Sequence, residues 1–146
     1  MEQIPHIQKK NCLNFKMRKL TRLLTKMYDA ELSKAGIKTT QFTLLCHVLK
    51  YDSAPLSDIA RIMGVDTSTL SRNLQPLISA GFIIQTTGSD ARRRLVSLTS
   101  EGRSKQAEAD LHWAVAQDKI KAILGLKNVT ALSVLLDSCI DKLQQD

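Results

Sequence analysis

Two short segments of helical periodicity, joined by a glycine turn, constrain the fold of this chain more than any other feature. The first starts near Pro55 and carries apolar residues at helical spacing until Gly64 breaks the pattern. Asp66 is a good N-cap for the second, which spans about Thr67 to Ser79 and is closed by Gly81. Two short helices joined in this way are predicted to form a helix-turn-helix.

The second of these helices has two chemically different faces. Val65, Leu70, Leu74 and Leu77 fall on one side and are predicted to pack inward. The other side and its flanks carry hydrogen-bonding side chains and one cation, namely Thr67, Ser68, Thr69, Ser71, Arg72 and Gln75. With donors and acceptors for base edges and no carboxylate beyond the cap, this face is typical of a recognition helix in a DNA major groove. A face that is merely solvated, the alternative, usually mixes Lys with Glu.

After the second helix the pattern changes from helical to extended. Phe82–Thr86 and Arg94–Leu98 are predicted strands of a hairpin. The loop and its border carry one acid and three arginines, namely Asp90, Arg92, Arg93 and Arg94. Arginine suits phosphate groups and the narrow minor groove, and Asp90 is spaced to pair with one of the three. A basic hairpin directly after a helix-turn-helix is predicted to be a wing.

These runs resemble the MarR (multiple-antibiotic-resistance regulator) family. The resemblance is carried by Leu56–Ala60, by Val65–Arg72, by the helix exit Leu77–Ile83, and by Asp90–Thr99 with the trailing Glu101-Gly102, which is similar to the family's Asp-x-Arg-x-Arg wing. It implies a regulator that binds a pseudo-palindromic double-stranded DNA site as a dimer. It also implies that Arg94 enters the minor groove with Asp90 as its partner. The expected DNA contacts are the polar residues of the helix and the wing together with Ser57.

The fold class that we predict is mainly α with a small β-hairpin wing, in a single domain of residues 1–146. Within it, residues 40–98 form the DNA-binding lobe, and residues 10–35 and 99–146 supply dimerisation helices. The first helix is predicted from Lys10 to Ser33 and the last from Val129 to about Leu143, each with an apolar stripe of three-four spacing. These stripes favour a homodimer over an ordinary intramolecular helix pair, which stays the alternative.

The balance of charges points to polyanions as partners. Lysine and arginine number 21 against 14 acids, which gives a net charge of +7. Nucleic acid is the expected partner, with an anionic membrane surface as the competing interpretation. No stretch approaches the roughly 18 uninterrupted apolar residues of a membrane span, and the N-terminus lacks the apolar core of a signal peptide. With three dispersed cysteines and no CxxC pair, the sequence favours the reducing cytoplasm.

Two groups of residues are candidates for the control of DNA binding. Arg18 and Arg22 share one face of the first helix, and with His47 they form a candidate site for a small aromatic or anionic effector. The alternative is that the arginines are solvated and His47 is a packed core residue. Cys12 lies near the start of the first helix, where a helix N-terminus favours the thiolate, and is a candidate redox switch.

Two other classes of protein compete with a DNA-binding regulator. An enzyme is disfavoured because the sequence offers no Gly-rich phosphate loop, no GxSxG, no HExxH and no paired His/Cys constellation. No metal site or cofactor is predicted, since the histidines and cysteines show no ligand spacing. A winged helix used only for protein-protein interaction would share the fold but would not need Arg72 and the wing arginines to be exposed together.

Overall fold

The computed structural model describes residues 11–90 and 93–145 of the chain. Within these residues the structure is mainly helical with one small antiparallel sheet, which confirms the predicted fold class. Its elements in chain order are α1 (Leu13–Leu32), a 3₁₀ turn (Ser33–Ala35), α2 (Thr39–Lys50), β1 (Ala54–Pro55), α3 (Leu56–Met63), α4 (Thr67–Ser79), β2 (Ile83–Thr87), β3 (Arg94–Leu98), α5 (Ser100–Leu124) and α6 (Leu126–Gln144).

Most boundaries agree with the sequence prediction, and those that differ have local causes. The predicted start of α1 at Lys10 lies outside the described residues, and the helix is observed from Leu13. The pattern does not predict β1, because two residues are too few to show alternation. α6 starts at Leu126 rather than at Val129, since Gly125, with φ +85°, makes the break between the helices alone.

Residues Asp29–Trp113 form one of two compact units and carry the helix-turn-helix. Their sheet has the strand order β1–β3–β2, and Val96 on the central strand pairs with Ala54 on one side and Gln85 on the other. The helices and the sheet share one apolar core, whose fully buried side chains include Leu32, Leu45, Val48, Ile59, Leu70, Leu74, Leu77 and Val96. Burial of three leucines from α4 fixes the rotation of that helix about its axis.

A tight junction, here called the α4–α5 junction, joins the residues after α4 to the first turn of α5. The backbone N of Thr99 donates to the carbonyl of Phe82 at 3.0 Å, and Thr99 Oγ1 donates to the carbonyl of Gly81 at 2.5 Å. Thr99 Oγ1 also accepts a hydrogen bond from the backbone N of Gly102 at 3.0 Å, so Thr99 caps α5. Gly102 is buried with its Cα directly against the Phe82 carbonyl.

The other compact unit is formed by the residues before Asp29 and after Trp113. In it Tyr28 Oη donates a hydrogen bond to Gln117 Oε1, and Ala116 and Ile120 of α5 are buried. Every residue of α6 is described and none of them is buried. Among residues 11–90 and 93–145, no single helix is long and apolar enough to cross a membrane. α5 and α6 meet that test only as a pair, and they are bent by 106°.

Candidate nucleic-acid interface

The recognition face of α4 is set by its cap and by its buried side. Asp66 Oδ1 accepts a hydrogen bond from the backbone N of Thr69 at 2.7 Å and caps the helix, as predicted. Leu70, Leu74 and Leu77 each retain 1% or less of their exposure. The opposite side therefore faces outward, with Ser68, Arg72 and Gln75 exposed and Ser71 half-buried.

Asp66 also holds the side chain of Ser68. Ser68 Oγ donates to the same carboxylate oxygen of Asp66 at 2.7 Å. This bond first, then the bonds from Thr69, and to a lesser degree the charge of Arg72, lower the pKa of Asp66 to about 2. The carboxylate is thus ionised at neutral pH. Because its pKa is lowered in the folded state, the stabilising effect of the cap is lost only as the pH falls from the ordinary range of an aspartate towards 2.

Pro76 lies inside α4 without ending it. A proline lacks the backbone donor that would bond the carbonyl of Arg72, so the sequence predicts a kink or a loosened turn. The helix nevertheless continues to Ser79, Pro76 is exposed, and its own carbonyl accepts from the backbone N of Ala80 at 3.0 Å. Gln75, which directly precedes the proline, is exposed on the outward side.

The predicted hairpin is present as β2 and β3, with Thr87 opposite Arg94 at its outer end. In the loop, the backbone N of Gly88 donates to the carbonyl of Arg93, and the backbone N of Arg93 donates to the carbonyl of Asp90, both at 2.9 Å. These bonds hold the backbone at the point where the chain returns into β3. Arg93 and Arg94 are exposed there.

α3, α4 and the start of β3 border a groove of about 600 Å³, here called the recognition groove. It is lined by Pro55, Leu56, Ser57, Thr67, Ser68, Ser71, Arg72, Gln75, Arg93 and Arg94. Eight of these ten residues are DNA contacts predicted from the sequence. The fold therefore brings the polar face of α4 together with two wing arginines and with the first turn of α3.

The chemistry of the recognition groove suits a polyanion that also carries hydrogen-bonding groups. Its lining holds three guanidinium groups, four hydroxyls and one side-chain amide, and no carboxylate is among these lining residues. Guanidinium groups bind phosphate and guanine, whereas hydroxyls and amides contact base edges. Ser57 and Thr67 lie in the first turns of α3 and α4, where the helix dipoles favour anions.

Three predicted contacts are not part of this lining. Thr69 is half-buried, and its backbone N is bonded to the cap. Asp90 is exposed in the hairpin loop, and its pairing with Arg94 stays a prediction. Arg92 lies outside the described residues. The wing therefore contributes two of its three predicted arginines to the described groove.

Sequence reasoning missed two groove residues and was wrong about another residue near the helix-turn-helix. Pro55 and Leu56 line the groove, and Pro55 is the N-cap of α3 rather than part of its first turn. The Ala-Pro dipeptide favours extended backbone, which could have predicted a short strand directly before α3. Val65, predicted to pack inward, is 36% exposed, because it precedes the cap of α4 and lies outside the periodicity of that helix.

The residues predicted to control DNA binding lie in separate elements. Arg18 and Arg22 are exposed on α1, whereas His47 is half-buried on α2 and its Nδ1–H donates to the carbonyl of Thr43 at 2.8 Å. Their grouping as an effector site stays a prediction. Cys12 is exposed directly before α1. Within the part of the chain that the structure describes, no cluster of His, Cys, Asp and Glu is arranged to hold a metal ion.

Comparisons with known proteins agree with this geometry. A model of the MarR family matches residues 37–95. The HTH-type transcriptional regulator YwoH of Bacillus subtilis (strain 168), itself uncharacterized, is 24% identical over 101 residues, which are 69% of this chain and 74% of that protein.

Two solved structures share the fold over nearly the whole chain. The Mycobacterium tuberculosis transcriptional regulator MosR, in complex with DNA, is 28% identical and covers 92% of this chain and 99% of its own, with a TM-score of 0.78. The transcriptional repressor CouR, bound to a 23-mer DNA duplex, is 21% identical, with a TM-score of 0.81. The match covers 91% of this chain and 95% of the CouR chain. CouR has also been solved with p-coumaroyl-CoA.

Proposed function

The chain belongs to the MarR family of transcriptional regulators, and we propose that it binds a pseudo-palindromic DNA operator as a homodimer through the recognition groove. The observation that carries this proposal is the meeting of α4 and the wing in one groove. All five of the side chains concerned line this groove. Ser68, Arg72 and Gln75 would contact base edges. Arg93 would neutralise the phosphates of the DNA backbone, and Arg94 would enter the minor groove. The likeness to MosR in its DNA complex supports this assignment.

The exposed surface of α6 supports the homodimer. Val134, Leu135 and Leu143 are 62%, 61% and 85% exposed, although α6 is long and amphipathic. A shallow cavity of about 770 Å³ on this helix is lined mostly by apolar side chains, including Val134 and Leu135. Apolar surface of this kind needs cover, and a palindromic site requires a two-fold axis that a second copy supplies.

The dimer is tested by placing a charge on this surface. Val134→Glu should give a monomer at micromolar concentration in sedimentation velocity, because the introduced carboxylate would be buried in the interface. Gln144→Glu adds the same charge at an exposed polar position of the same helix and should leave the dimer intact. A wild-type protein that sediments as a monomer would refute the proposal.

We also propose that a small aromatic or anionic effector, or an oxidant, releases the DNA. Exposed Arg18 and Arg22 offer cations to an anion, and exposed Cys12 offers a thiol to an oxidant. A cytoplasmic location is proposed because the cysteines are free thiols, as is usual in a reducing compartment. Catalysis has no part in this proposal, since the matching family consists of regulators.

Selection of bound fragments from random or genomic DNA tests the function directly. The purified protein should enrich an inverted repeat whose half-sites lie about one helical turn, roughly 10 base pairs, apart. Arg72→Ala should bind this repeat more weakly and lose the base preference at one position of each half-site. Arg103→Ala is the matched control, because Arg103 is an exposed arginine that pairs with Asp52 at 3.4 Å and does not line the groove.

A winged helix used only for protein-protein contact is the alternative function. Such a protein would return a bound pool with the same composition as the input DNA. It would also elute from heparin at low salt in the wild type and in Arg72→Ala alike. Either result would favour the alternative over the operator-binding regulator.

A further inference from the structure

We infer that Ser68 selects a base with an exocyclic amino group, adenine or cytosine. The reason is that Ser68 donates its hydroxyl hydrogen to Asp66, so that its oxygen can only accept a further hydrogen bond. This inference rests on the proposed function and names a specificity-determining residue within it. It gives Asp66, whose first role is the cap of α4, a second role in reading the sequence of the DNA.

The direction of the hydrogen bond follows from the chemistry of the two groups. Ser68 Oγ and Asp66 Oδ1 are 2.7 Å apart, and an ionised carboxylate can only accept. A hydroxyl has a single hydrogen, which is therefore committed to Asp66. The low pKa of Asp66 keeps the carboxylate ionised, and a bond to a charged acceptor is stronger than one to a neutral acceptor. The backbone N of Thr69 holds the same oxygen at 2.7 Å and fixes the carboxylate in place.

An oxygen that only accepts can bind few groups on DNA. In the major groove the donors are the N6 amino group of adenine and the N4 amino group of cytosine. The N7 and O6 atoms of guanine, the O4 atom of thymine and the phosphate oxygens are all acceptors. The charge of Asp66 next to Ser68 repels these acceptors and attracts amino groups. Ser68 is therefore expected to read a base and not to bind the DNA backbone.

The place of Ser68 in the recognition groove allows this contact. Ser68 is exposed and lines the groove together with Arg72, which follows it by one helical turn on the same face. A guanidinium group only donates, so Arg72 selects the acceptors of guanine or of a phosphate. The outward face of α4 thus carries an acceptor at Ser68 and a donor at Arg72. Ser68 is expected to contact a hydrogen-bond donor on one base, and Arg72 an acceptor on another.

The test removes single amino groups from the operator that the wild type selects. Duplexes carry purine in place of one adenine, or the pyrimidinone without N4 in place of one cytosine, at each position in turn. At one position in each half-site the missing amino group should lower wild-type affinity about fivefold, the effect of one hydrogen bond. The same analogue should not change the affinity of Ser68→Ala, whose affinity for the natural operator is already lower.

Two substitutions of Asp66 separate its role in polarising Ser68 from its role as a cap. Asp66→Gly frees the hydroxyl of Ser68 and still serves as an N-cap, so this variant should accept guanine or thymine at the same position. Asp66→Asn keeps an oxygen that accepts from both Ser68 and the helix, and should keep the wild-type preference. Circular dichroism checks that all variants have the wild-type helix content.

The outcomes separate the inference from the proposed function. If the wild type selects no operator, the proposed function fails before Ser68 is examined. If an operator is selected but Ser68→Ala and the wild type lose the same affinity on every analogue, Ser68 reads no amino group and the inference is wrong. It is equally wrong if Asp66→Gly keeps the wild-type base preference at every position.

Discussion

Replacing Gly102 with alanine places a methyl group where the α4–α5 junction has no room. A Cβ at this position would lie 1.9 Å from the carbonyl oxygen of Phe82 and 2.9 Å from its carbonyl carbon. A Cβ atom essentially never lies within 3.0 Å of another nonbonded heavy atom, so the contact with the oxygen alone requires the two backbones to separate by more than an ångström. The obstructing atoms belong to the backbone, which has no rotamer to change.

The free energy of unfolding should fall by about 3 kcal/mol. Overpacking costs about 1–3 kcal/mol, and the rigid neighbour places this case near 3. Separation of the backbones would also break the hydrogen bond from Thr99 to the carbonyl of Phe82, which contributes about 1 kcal/mol. Alanine has a higher helix propensity than glycine, which should stabilise the helix that begins at Ser100 by about 1 kcal/mol. This gain offsets the lost hydrogen bond, so the net loss stays at about 3 kcal/mol.

Urea unfolding followed by far-ultraviolet circular dichroism measures this loss. With a slope of about 1–3 kcal/mol per molar urea, the midpoint should fall by about 1 M or more. All samples need one protein concentration, because the stability of a dimer depends on it. Gly88→Ala is the matched control, since the nearest atom to its added Cβ lies at 3.6 Å and the change should stay within about 0.5 kcal/mol. If Gly102→Ala is as stable as Gly88→Ala, the junction accommodates the added methyl group and the expected loss of unfolding free energy is refuted.

The remaining predictions concern DNA binding. Arg93→Ala should weaken binding to all DNA sequences alike and should reduce the slope of log binding constant against log salt concentration by about 1. Arg72→Ala should weaken binding and also relax the base preference. Equal base preferences in the two variants would contradict this prediction. Peroxide should lower operator affinity in the wild type but not in Cys12→Ser, and equal responses would leave Cys12 without a sensing role. Asp90→Ala should weaken operator binding but not non-specific binding, because a freed wing arginine must be ordered on the DNA; tighter operator binding would show that net charge dominates.

The sequence predicts best what neighbouring residues determine. α4 and β3 were predicted over their observed residues, because the Asp66 cap and the change from helical to alternating pattern are local signals. Local patterns do not show that Thr99 also bonds Gly81 or that Gly102 packs on Phe82, since these contacts join distant positions in the chain.

The candidate site shows the same division between residue chemistry and tertiary arrangement. The polar face of α4 and the wing arginines are visible in the sequence as residue types. Their meeting with Ser57 in one groove depends on how α3 and β3 pack, which no periodicity encodes. The polarity of Ser68 also needs coordinates, because the sequence places Asp66 two residues before it but does not orient either side chain.

The α4–α5 junction links the stability of the lobe to the geometry of DNA recognition. Phe82 lies between the end of α4 and the start of β2, and its carbonyl is held by the backbone N of Thr99 and packed against Gly102. Arg72 on α4 and Arg94 on the wing line the same groove, so a shift of Phe82 changes the position of one relative to the other. Base contacts require this alignment, whereas phosphate contacts tolerate displacement. A substitution at the junction that leaves the lobe folded should therefore weaken operator binding more than non-specific binding, although Gly81, Phe82, Thr99 and Gly102 do not line the recognition groove.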